Sequence, residues 1–94
     1  MKQIINGLVY NTKTAQLIAD DKFWDGHNYD RKGRSNSLYK TQKGNFFILH
    51  ETRWQGERNT ITPVTQSEAE GWFETLPETN VEFAEAFGHE PEEA

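Results

Sequence analysis

Leu38-Tyr39-Lys40-Thr41-Gln42-Lys43-Gly44-Asn45-Phe46-Phe47-Ile48-Leu49-His50-Glu51-Thr52 is the stretch that decides the fold. Strand-forming runs flank Gln42-Lys43-Gly44-Asn45, a turn-forming tetrapeptide, so residues 37–53 read as an antiparallel hairpin. Alternation along a strand puts positions 46 and 48 on one face and 47 and 49 on the other. All four are apolar, which predicts a central strand covered on both sides near its start. His50 continues the face of Ile48, and Glu51 lies on the other.

Upstream, Ile4-Ile5-Asn6-Gly7-Leu8-Val9-Tyr10 places Asn-Gly between apolar arms, the cue for a type I′ hairpin turn. The arms are short, and a bend within one edge strand is the alternative. Residues 15–20 read as a strand, with a short helix capped by Thr12 or Thr14 as the competing reading. Residues 24–37 are rich in Gly, Asn, Asp and Ser and read as a long loop, a length that usually marks mobility or function. Downstream, residues 55–59 form a turn and residues 60–64 a short strand. Pro63 confines that strand to an edge or sits near its end.

The C-terminal third reads as helical. Thr65-Gln66-Ser67-Glu68 is a capping box. Ala69, Trp72, Phe73 and Leu76 then fall at i, i+3, i+4 and i+7, one apolar stripe ended by Pro77. Gly71 costs about 1 kcal/mol inside a helix, which packing must offset. A second box, Thr79 to Glu82, predicts a helix over 79–87 with Phe83 and Phe87 on one side and Gly88 at the left-handed stop. The expected architecture is α+β. An antiparallel sheet of four to five strands carries the 65–76 helix on one face, and the second short helix docks at an edge. Trp72, Phe73, Leu76, Phe47, Leu49, Ile18 and Tyr39 are the expected core. Residues 1–88 make one domain, with an acidic tail over 89–94.

The 94 residues suffice for one small domain, and three Trp, three Tyr and six Phe supply the bulk of a thin core. The absence of Cys removes disulfide scaffolds, thiolate metal sites and Cys nucleophiles, and it suits a reducing cytoplasm. No apolar run reaches the ~20 residues of a membrane helix, and the first residues lack the apolar centre of a signal peptide. The expected location is therefore the cytoplasm.

Candidate chemistry is sparse. His27, His50 and His89 are far apart, and each reads as a solvated or hydrogen-bonded histidine. Asp20, Asp21, Asp25 and Asp30 do not fit the D-x-[DN]-x-[DN]-G pattern of a calcium loop. There is no nucleophile elbow, and Gly26 and Gly33 do not form a phosphate loop. The sequence therefore points away from an enzyme, a metal site or a cofactor. Arg31, Lys32 and Arg34 form a basic cluster between Tyr29 and Tyr39, of the kind that can grip single-stranded nucleic acid. Three charges supply little salt-dependent affinity, and acids precede the cluster, so direct nucleic-acid binding is the lesser reading.

The charge distribution is the stronger signal. All ten Lys and Arg lie between Lys2 and Arg58, against six acids there, for a net charge of +4. From Asn59 onward there are nine Glu and no base, for a net charge of −9. Glu68, Glu70, Glu74, Glu78, Glu82 and Glu85 are the candidate partner-binding residues. Like charges at i, i+4 destabilise a helix mildly, and no Lys relieves them. Two readings stay open: a solvated helix face, or a negative surface complementary to a basic groove, which would set encounter rate and specificity.

Three stretches carry a resemblance: Ile5-Asn6-Gly7-Leu8-Val9-Tyr10-Asn11-Thr12-Lys13-Thr14-Ala15, Leu38 through Phe47, and Ile61 through Trp72 with the Phe87-Gly88 ending. With them the chain resembles small proteins of phages, plasmids and integrative elements, the group from which inhibitors of host CRISPR–Cas defence come. These motifs are structural. The resemblance implies a stoichiometric inhibitor that binds a host CRISPR–Cas effector, with no catalytic residue to carry over. The resemblance carries over no binding residue; combined with the glutamate pattern, the expectation is that the acidic surface occupies a site built for nucleic acid and so mimics it. A small nucleic-acid-binding accessory protein using Arg31 to Arg34, or a structural or regulatory phage protein, is the alternative.

Overall fold

The structure, a computed structural model, describes residues 1–21, 34–52 and 56–91. Its strands are β1 (Lys2–Ile5), β2 (Leu8–Asn11), β3 (Gln16–Asp20), β4 (Arg34–Lys40), β5 (Phe46–Thr52), β6 (Thr60–Val64) and β7 (Glu78–Thr79). Its helices are α1 (Gln66–Thr75) and α2 (Phe83–Phe87). β6-β5-β4-β3-β7 form a five-stranded antiparallel sheet, and β1-β2 form a separate two-stranded ribbon. The α+β expectation holds.

The central hairpin forms where the sequence places it. Leu38 lies opposite Ile48 and Tyr39 opposite Phe47. Thr41 ties the turn by donating its N–H to the Asn45 carbonyl at 2.7 Å, and its hydroxyl accepts the Asn45 N–H at 3.0 Å. Phe46, Phe47, Ile48 and Leu49 are all buried, so β5 is covered on both faces as its unbroken apolar run requires. β6 is an edge strand, and Pro63 sits there opposite Phe47 without costing a central ladder bond.

The two faces of the sheet have separate cores. On one, Phe46, Ile48, Leu38, Ile18 and Ala19 meet Ala69 and Leu76 at α1 and Ala86 and Phe87 of α2, with Trp72, Phe73 and Phe83 partly buried beside them. On the other, Phe47, Leu49 and Ile61 meet Tyr10 of the ribbon. Tyr39 stacks on Phe47 at 5.1 Å, and Tyr10 meets Phe47 edge-on at 5.5 Å. The single core expected from the sequence is therefore two, with Phe47, Leu49 and Tyr39 separated by the sheet from Ile18, Leu76, Trp72 and Phe73. The register shift between Leu17 and Ala19 inserts Ile18 as an extra residue, which turns both Ile18 and Ala19 into the helix-side core.

Several boundaries differ from expectation. Residues 15–20 take the strand alternative, and Asn6-Gly7 takes the hairpin one, with φ of 52° and 79° as a type I′ turn needs. The expected 24–37 loop gives up its end to β4: Ser35, Asn36 and Ser37 pair with Glu51, His50 and Leu49. Pairing outweighs their local turn preference. The rest of that loop lies outside the described residues. The helix expected over 79–87 is shortened, because the backbone of Glu78 and Thr79 pairs with Asp20 and Ala19 at the sheet edge. Thr79 cannot cap from there, and α2 starts after Glu82 with no side-chain cap. Gly88 ends it at φ 80°, its N–H bonded to the Ala84 carbonyl at 2.8 Å.

Candidate functional site: the acidic C-terminal surface

Two of the six candidate glutamates are spent inside the molecule. The Glu68 carboxylate accepts the Thr65 N–H at 2.8 Å, and the Thr65 hydroxyl accepts the Glu68 N–H at 3.1 Å. This is the capping box read from the sequence. Glu70 is clasped: Oε2 accepts from His89 Nε2 at 2.9 Å and from Gln66 Nε2 at 3.2 Å. The His89 bond, and after it the Gln66 bond, hold the Glu70 carboxyl below its ordinary range. Gln66 Nε2 also donates to the Phe87 carbonyl at 3.1 Å, so one carboxamide joins the start of α1 to the end of α2. His89 packs edge-on against Phe83 at 5.4 Å, and its Nδ1 lies 3.0 Å from the Glu90 carbonyl.

Glu74, Glu78, Glu82 and Glu85 are exposed, and their carboxylates make no hydrogen bond or ion pair among the described residues. Glu82 and Glu85 border an open concavity lined also by Phe73, Thr79, Asn80, Val81 and Phe83. Phe73, Val81 and Phe83 are half-buried there, because the same rings close the helix-side core: Phe73 meets Phe83 at 5.6 Å and Phe87 at 5.7 Å. Glu74 and Glu78 are chain neighbours of the lining residues Phe73 and Thr79. The lining is mixed, with Phe73, Val81 and Phe83 set among Thr79, Asn80 and the two glutamates, and no Lys or Arg occurs in the chain from Asn59 onward. Chemically it suits binding of a surface that combines cations with apolar groups.

The other candidates are placed differently. Arg31 and Lys32 lie outside the described residues, and Arg34 enters through its backbone, which opens β4 opposite Thr52. His27 also lies outside them. His50 is half-buried with Nδ1 2.7 Å from the Asn36 side-chain oxygen and its ring edge-on to Trp72. That oxygen accepts only, so Nδ1 carries the proton and the tautomer follows from the partner. Burial lowers the His50 pKa. Asp20 and Asp21 are fully buried, with Asp21 accepting the Asn36 N–H at 2.9 Å. Among the described residues no three His, Asp or Glu side chains converge as metal ligands. No helix among them is long and apolar enough to cross a membrane.

Sequence reading did not foresee the Gln66–Glu70–His89 clasp, in which Glu70 and His89 are 19 residues apart with no periodic signature. It also missed the concavity, although Val81 and Phe83 between acidic positions were a visible sign. The chain matches no protein-family model, no curated protein and no solved structure.

Proposed function

We propose that this protein is a stoichiometric protein binder that offers Glu74, Glu78, Glu82 and Glu85, with the apolar floor of Phe73, Val81 and Phe83, to a basic groove on its partner. The observation that carries this reading is the placement of Glu82 and Glu85 at a concavity lined also by the half-buried Phe73, Val81 and Phe83, with the exposed Glu74 and Glu78 next to it in the chain. A merely solvated helix face has no need of such a floor. The resemblance to inhibitors carried by mobile elements directs the proposal to a host CRISPR effector. There the acidic surface would occupy a groove built for nucleic acid and act as its mimic. Complementary charge would speed encounter, and the aromatic floor would slow release.

The test is competition. Purified effectors of several CRISPR types are each loaded with labelled target DNA and titrated with the protein. Displacement by one of them, weakened by salt and by Glu82→Lys with Glu85→Lys, supports the proposal. Failure to displace DNA from any effector, or displacement unchanged by the charge reversal, rejects it.

A further inference from the structure

Every exposed large apolar side chain found among the described residues lies at the N-terminal ribbon. Ile4 is 69% exposed, Val9 55%, Leu8 42% and Met1 40%. Ile4 and Val9 are cross-strand partners on the ribbon's outer face. The inner face is fixed by Tyr10, which is buried against Phe47. Lys2 shares the outer face with Ile4, and Lys13 follows the end of β2. Residues 1–19 contain no acid. The ribbon is thus an apolar pair bordered by cations, and a β-branched pair left in water gains from burial.

Its complement is in the same molecule. The concavity beside α2, about 450 Å³, is floored by Phe73, Val81 and Phe83 and bordered by Glu82 and Glu85. Charge is the main match, lysines to glutamates, and Phe73, Val81 and Phe83 add half-buried apolar surface for Ile4 and Val9 within an otherwise polar lining. The two surfaces belong to opposite faces of the five-stranded sheet, since the ribbon packs on Phe47 and α2 packs on Phe46. One copy therefore cannot close on itself.

We infer that the ribbon of one copy docks in the acid-bordered concavity of a second copy, with Ile4 and Val9 on the aromatic floor and Lys2 and Lys13 facing Glu82 and Glu85. The contact is heterologous, so copies add head to tail, into a ring where the rotation closes and an open chain where it does not. The apolar area is small, which makes the association weak and reversible. Because Glu82 and Glu85 serve this contact and the proposed target alike, the two are mutually exclusive.

Sedimentation of the full chain tests this without any target, so its outcome is independent of the proposed function. The average mass should rise with protein concentration at about 0.01 M salt, and the association constant should fall at least tenfold at about 0.15 M as the Debye length shortens from ~30 to ~8 Å. Ile4→Thr with Val9→Thr should stay monomeric, as should Glu82→Lys with Glu85→Lys. Mixed, the two variants should form a 1:1 heterodimer and nothing larger, because each keeps one working half. If the threonine variant unfolds, Lys2→Glu with Lys13→Glu replaces it, and combining that change with the glutamate reversal should restore association. A wild-type protein monomeric throughout, or association that survives either variant, overturns the inference. So does a monomer whose Ile4 and Val9 instead bind vesicles of phosphatidylserine and phosphatidylcholine.

Discussion

Lys40 Nζ donates to the carbonyl oxygen of Ala86 at 2.7 Å, joining β4 to the last turn of α2 across 46 residues of chain. The same ammonium lies 5.6 Å from the Phe46 ring centre. α2 has only five residues and no side-chain N-cap, so it cannot hold its shape alone. Its position comes from Phe87 in the core, from Gln66 on the Phe87 carbonyl, and from this lysine. The floor of the acidic concavity depends on that anchoring, since Phe83 belongs to α2.

Replacing Lys40 by Met keeps the stem and removes the donor. The expected loss is about 1.5 kcal/mol, the scale of a partly buried hydrogen bond from a charged group. Urea denaturation measures it. An unchanged midpoint would mean that Phe87 and Gln66 alone position α2.

Gly71 offers a gain. A Cβ built there meets no atom within 4 Å, and the residue is exposed in the interior of α1. No neighbour excludes a side chain at this position. Gly71→Ala should therefore stabilise the fold by about 0.5–1 kcal/mol through helix propensity and a less flexible unfolded chain. A rise in the thermal midpoint confirms it, and a fall would reveal a constraint on α1 not visible in its contacts.

Acidification should destabilise the protein in two windows. Burial lowers the pKa of His50 below 6.5, so the unfolded chain takes up that proton first. The stabilisation is complete above pH 6.5 and is lost as pH falls through the lower folded value. Glu70, held below 4.5 by His89 and then Gln66, acts in the same direction at lower pH. His50→Gln should flatten the upper window and leave the lower one. Thermal midpoints followed from about pH 7.5 to 3.5 measure both, and an unchanged upper slope would exclude His50 as its source.

The legible parts of the fold were those decided locally. Asn6-Gly7, the Thr65–Glu68 box and the apolar run at 46–49 each dictate a turn, a cap or a buried strand with little help from elsewhere. What escaped was decided by partners distant in sequence. Ser35 to Ser37 look like a loop until Leu49 to Glu51 pair with them. Thr79 looks like a cap until its backbone joins β3. The apolar run in β5 announced two covered faces but not which side chains would meet on each. For the site, charge segregation was plain in the sequence. The internal use of Glu68 and Glu70 by Thr65, Gln66 and His89 leaves Glu74, Glu78, Glu82 and Glu85 as the candidates whose carboxylates have no hydrogen bond within the described residues.

The most direct measurement is calorimetric titration of the wild type and of the fourfold Glu74→Lys, Glu78→Lys, Glu82→Lys, Glu85→Lys variant into the purified effector that the competition assay selects, at several salt concentrations. The account predicts one-to-one binding by the wild type that weakens steeply with salt, and no measurable binding by the variant while its circular dichroism spectrum is unchanged. Binding by a folded variant at wild-type affinity would contradict it.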